Sequence, residues 1–124
     1  MTKALVKKID GCYTRMLRMV LNVNWSSHTT NKELYGSLPR ATSKIQERRM
    51  KLAGHIHRHD DLVAHQLLLW EPTHGTRGRG RPALTFVDTL RGDTGLNGTE
   101  EIRGLMADRK LWRNTIKTRT LKPP

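Results

Sequence analysis

Apolar residues recur every three to four positions along residues 3–23. Leu5, Ile9, Cys12, Met16, Val20 and Val23 share one side of a helical repeat, with Lys7, Lys8, Arg15 and Arg18 largely off it. The pattern predicts an amphipathic helix capped by Thr2, with its Leu/Met stripe turned to the core. Gly11 weakens the middle by about 1 kcal/mol relative to alanine, so the helix has to draw on tertiary packing. After a turn at 24–27, Thr30 and Glu33 have capping-box spacing for a short helix through Tyr35, ending near Gly36. Pro39 breaks the chain.

Thr42 and Ser43 then cap a second long helix over 43–57, with Gln46 three residues after Ser43 and Ile45, Met50, Leu52, Ala53 and Ile56 as its apolar positions. The run 62–70, above all Leu67-Leu68-Leu69-Trp70, is too short for periodicity to separate helix from buried strand. Pro72 and the lack of an apparent partner strand favour helix. Pro82 suits a first helical turn, and Leu84, Phe86, Val87 and Leu90 predict a helix to about Arg91. Gly92, Gly95 and Gly98 mark a turn-rich connection. Thr99 caps a last helix over 100–118 bearing Ile102, Leu105, Met106, Leu111, Trp112 and Ile116, with Glu100 and Glu101 at its start and Lys117 and Arg119 at its end, as the helix dipole favours. Residues 121–124 are expected to fray.

The fold class that emerges is all-α. Four or five helices fall in two parts, 1–72 and 83–124, joined by a loop at 73–82. Trp70 and Trp112, each in an apolar run, are expected to be buried, and Trp25 more exposed.

Charge changes the picture more than composition does. The chain has 124 residues, with 23 Lys and Arg against 11 Asp and Glu, a net charge of +12. That excess points to a polyanion partner, RNA or DNA. No apolar run approaches the roughly 18 residues of a membrane span, so an intracellular, membrane-free protein is expected. A single cysteine, Cys12, excludes an internal disulfide and a cysteine-built zinc cage.

Two stretches carry candidate contacts. Gly75 to Pro82 reads Gly-Thr-Arg-Gly-Arg-Gly-Arg-Pro, in which Arg77, Arg79 and Arg81 alternate with glycines. Each guanidinium is a planar fork suited to phosphate oxygens, and no apolar side chain is present to bury the segment. The second stretch is the polar face of helix 43–57 and its exit, with Lys44, Arg48, Arg49, Lys51 and Arg58 placed to track a phosphate backbone. His55, His57, His59, Asp60, Asp61 and His65 suggest metal chemistry at first sight. His55 and His59 would share a helix face, but a rigid third ligand is lacking, so polar helix-end residues are expected and no metal or cofactor.

Four segments occur in order: Asp10-Gly11-Cys12-Tyr13-Thr14-Arg15-Met16-Leu17-Arg18, Arg49-Met50-Lys51-Leu52-Ala53-Gly54-His55 with Arg58, Gly78-Arg79-Gly80-Arg81-Pro82, and Asp108-Arg109-Lys110-Leu111-Trp112-Arg113. Together they resemble the C-terminal tail of LINE-type, non-LTR retrotransposon polyproteins, downstream of the reverse transcriptase domain. The resemblance spans nearly the whole chain and implies nucleic-acid handling beside a polymerase. It implies no polymerase here: the Tyr-x-Asp-Asp turn that holds two metal ions is missing, and Asp60-Asp61 lacks the tyrosine. The chain is thus expected to be a non-catalytic remnant beginning inside its parent, binding RNA or DNA backbone. The alternatives are a structural remnant that binds nothing, and an AT-hook-like minor-groove binder. Arg79-Gly80-Arg81-Pro82 resembles the hook core, with Gly78 where hooks carry proline.

Overall fold

The computed structural model describes residues 2–61, 63–71, 80 and 85–120. Among them every regular element is helical. The order is α1 (Lys3–Val20), a 3-10 turn (Trp25–Ser27), α2 (Asn31–Tyr35), α3 (Ala41–His57), α4 (Val63–Leu68), α5 (Phe86–Thr94), α6 (Thr99–Ala107) and α7 (Arg109–Thr120). There are seven α-helices among the described residues, against the four or five expected. The short helices α2 and α4 fall on stretches read as helical, and the stretch that yields one helix more than its pattern predicts is the last, which breaks at Asp108. That residue takes an extended conformation, ends α6, and accepts from the backbone N–H groups of Lys110 and Leu111 at 2.7 and 3.1 Å as the cap of α7. Residues 100–118 are therefore two helices. Residues 121–124, expected to fray, lie outside the described residues, as do Pro82 and Leu84.

Contacts divide the chain into two compact units, Met1–Glu47 with Thr120–Pro124, and Arg48–Arg119. The division falls within the sequence of α3, whereas the expected one lay at the arginine loop.

In the first unit, Thr2 caps α1 as expected, but the helix buries none of its side chains. It packs through a flank. Val6, Ile9, Tyr13 and Leu17 are half-buried, while Leu5, Cys12, Met16, Met19 and Val20 face solvent, Val20 at 80% exposure. The expected core stripe is split, because a row of polar side chains one helical turn apart claims the packed side. The Asp10 carboxylate accepts from the Thr42 N–H at 3.1 Å and from its hydroxyl at 2.8 Å, which caps the first turn of α3. The Thr14 hydroxyl donates to the Asp10 carbonyl at 2.7 Å and lies 2.8 Å from the buried Tyr35 hydroxyl. Arg18 donates to the Thr29 carbonyl and to Asn31 at 2.9 and 3.0 Å. The capping box of α2 forms as its spacing predicts, and the Thr30 bonds hold the Glu33 carboxyl below the usual carboxylate range.

The second unit holds the core: Met50, Ala53, Leu68, Leu90, Ile102, Met106, Trp112 and Ile116. Trp112 is 2% exposed and its indole N–H donates to the Met50 carbonyl at 2.9 Å. The ring reaches that carbonyl because Gly54 leaves its side of α3 bare; a Cβ there would overlap the indole Nε1 and Cδ1. A buried, hydrogen-bonded ring yields poorly, so Gly54→Ala is expected to destabilise by about 1 to 3 kcal/mol as overpacking does. That outweighs the roughly 1 kcal/mol that alanine gains in helix propensity. Thermal unfolding followed by circular dichroism checks this, and an unchanged or raised Tm would show that the indole moves aside.

A second capping box, Thr85 with Asp88, starts α5, and Gly95 in the left-handed region ends it. Gly98, not Thr99, occupies the cap position of α6. Trp25 is 87% exposed, as expected. Trp70 overturns its expectation at 62% exposure. Among the described residues of this run, Leu68 at the end of the two-turn α4 and the half-buried Leu69 just after it reach the core, and Trp70 follows on the outer side.

Candidate nucleic-acid interface

The expected basic face of α3 is partly consumed inside the fold. Arg49 forms a two-pronged bond to Asp93, Nε to Oδ2 at 2.6 Å and Nη2 to Oδ1 at 2.7 Å. Asp93 is half-buried, and desolvation pushes its carboxyl upward against the pull of Arg49. Arg58 donates to the Met106 carbonyl at 3.0 Å, where a cation meets the negative end of α6. Lys44 pairs with Glu47 at 2.9 Å on the surface. Arg48 and Lys51 are exposed. Of the five cations named on this stretch, Arg49 and Arg58 therefore have structural partners within the second unit. Arg77, Arg79 and Arg81 lie outside the described residues.

A basic stripe that the residue pattern also contained, but that was not singled out, lies on α7. Lys110, Arg113 and Lys117 stand at i, i+3 and i+7 on one face, with Arg109 one turn before Arg113 at its edge. All four are exposed and line a shallow groove of about 560 Å³ with Asn114. No ion pair among the described residues ties their side chains, and α7 contains no acidic residue. Trp112 and Ile116 bury the opposite side, so the cations are turned outward by the same packing that fixes the core. Arg119 does not belong to the stripe. Its guanidinium lies against Gly95 at the end of α5.

The histidines gather less than their spacing suggests. The His55 and His59 rings are 4.3 Å apart and tilted, and His57 and His65 stack at 5.3 Å and 27°. Among the described residues no group of three His, Cys, Asp or Glu side chains converges. His57 is held below the ordinary histidine range by burial first, then by the like charges of His65, Arg103 and Arg58, against the opposing pull of Asp60.

No described helix is long and apolar enough to cross a membrane. No family model, no curated protein and no solved structure matches the chain.

Proposed function

We propose that the protein is a non-catalytic binder of nucleic-acid backbone, of the kind found in the C-terminal tail of LINE-type retrotransposon polyproteins. The observation that carries it is the α7 stripe. Four outward cations, none tied within the described residues, sit on a chain of net charge +12. Ion pairs with phosphates release condensed counterions, which gives such a surface affinity without sequence preference. Arg77, Arg79 and Arg81 join this reading on their sequence alone, and Arg48 and Lys51 are exposed in the same unit as α7. The family assignment rests on the four sequence segments given above.

The test is a salt titration of binding to labelled RNA and duplex DNA, for the native chain and for a variant with Arg109, Lys110, Arg113 and Lys117 all changed to alanine. The slope of log affinity against log salt is expected to shrink by about 3, from roughly 0.7 to 0.9 per lost contact. The circular dichroism spectrum should stay as it was, because all four side chains are exposed. Equal slopes for the two proteins, or no binding at low salt, would overturn the proposal.

One observation favours a purely structural remnant. Asp10, Arg49, Met50, Gly54 and Trp112, all from the segments that carry the resemblance, are spent on packing and internal hydrogen bonds. The same titration separates the two readings, since the remnant shows no salt-dependent affinity.

A further inference from the structure

Within the second unit a cavity of about 390 Å³ is lined by His57, His65, Gln66, Leu69, Trp70, Glu71 and Arg103. Its volume is in the range of small-ligand sites. Three of the lining side chains are rings, the stacked His57–His65 pair and the largely exposed Trp70 indole, and Leu69 packs against the core.

An indole in water is an unfavourable place for so large an apolar ring. The backbone that carries it is fixed. The backbone N–H of Trp70 closes the turn after α4 by donating to the Leu67 carbonyl at 3.3 Å, and the next residue, Glu71, pairs with Arg91 at 2.8 Å. Arg91 in turn is fixed by the Asn97 carbonyl and the Thr99 hydroxyl, both at 3.0 Å. The clamp holds the backbone beside the tryptophan and partly offsets the Glu71 carboxylate at the rim, the guanidinium being shared with Asp88 at 3.4 Å. Arg103 stays 51% exposed, its one ion pair among the described residues a long 3.8 Å contact to Glu100, and so offers a cation at the mouth. Gln66 supplies an amide, the side chain suited to reading a base edge. His65 Nδ1 is enclosed, and the Asp60 carboxylate approaches it at 3.1 Å without hydrogen-bonding geometry.

We infer that this cavity receives an unpaired nucleobase of a single-stranded nucleic acid, stacked on Trp70 and the histidine pair with its phosphate beside Arg103. The inference rests on the backbone-binding proposal and deepens it by specifying the strand state. Aromatic platforms with nearby cations bind single strands with little sequence preference, because every base has a π face. A base inside a duplex is already stacked and cannot enter. Burial first and then its cationic neighbours favour the uncharged form of the His57 ring.

The test uses the full chain with Trp25→Phe, which leaves Trp70 as the exposed emitter and Trp112 buried. Titration with a single-stranded thymidine oligonucleotide is expected to quench Trp70 saturably, and a duplex of the same length is expected to leave it unmoved. Trp70→Ala should weaken single-strand binding about tenfold while duplex affinity and salt slope stay the same. Trp70→Phe, which keeps a stacking face, should restore most of the loss and guards against a folding artefact. If Trp70→Ala binds single strands as the native chain does, or if Trp70 emission is unmoved at saturation, the cavity assignment falls and backbone binding stands. If the native chain binds neither form at low salt, both fall.

Discussion

Trp112→Ala is expected to lower stability by about 3 to 5 kcal/mol, the range for deleting a large buried aromatic side chain. Small domains hold about 5 kcal/mol at the low end, so the variant should be largely unfolded at modest urea concentrations. Two losses combine. The indole fills the space opened by Gly54 between α3 and α7, and its N–H satisfies the Met50 carbonyl. Trp112→Phe separates them, since it keeps most of the ring and should lose about 1 kcal/mol for the hydrogen bond, more if the ring seats poorly. Urea unfolding monitored by circular dichroism gives both numbers. An unchanged midpoint for Trp112→Ala would mean that this ring does not join α7 to the core.

Arg49→Ala should be the next most damaging change, at about 2 to 3 kcal/mol, at or below the range for breaking fully buried pairs. Both partners are mostly enclosed, and the substitution removes two charge-assisted bonds from Asp93. The pH dependence has a definite sign. Burial already raises the folded-state pKa of Asp93 above its unfolded value, so its ionisation costs stability as pH rises through the folded value. Without Arg49 that cost grows. The gap between native and variant should therefore be widest near neutral pH and narrow in acid, where Asp93 is protonated in both. A gap that is constant from pH 7 down to pH 4 would show that the charge of Asp93 is not what Arg49 serves. Arg49→Lys, which keeps the charge but not the planar fork, is expected to fall between.

Much of the helical framework was legible because its signals are local. The Thr30–Glu33 box, the Thr2 cap and the apolar run that buries Trp112 are each decided within a few residues. The Thr85-x-x-Asp88 box is a signal of the same local kind. What periodicity could not supply is the partner. In α1 the apolar arc is wider than the flank that packs, and the choice of flank depends on Thr29, Asn31, Tyr35 and Thr42, which lie 11 to 32 positions from their partners. Trp70 was misjudged for the same reason: an apolar run says that some residues are buried, and a two-turn helix has room for few of them. The fate of the α3 cations follows the same logic. Arg49 looks like a surface charge until Asp93, 44 residues away, is placed beside it. The α7 stripe needed no tertiary information, only the spacing of four cations opposite Trp112 and Ile116.

The ladder of Asp10, Thr14 and Arg18 also fixes what kind of change α1 can survive. Each rung is one turn from the next, and each meets a different fixed partner. A substitution on the exposed arc of Leu5, Cys12, Met16, Met19 and Val20 disturbs none of them. Inserting or deleting a single residue between Asp10 and Arg18 rotates everything beyond it by about 100° and detaches at least one rung whichever side is held. Letters on the outer half of this helix are free to drift, but its length is not.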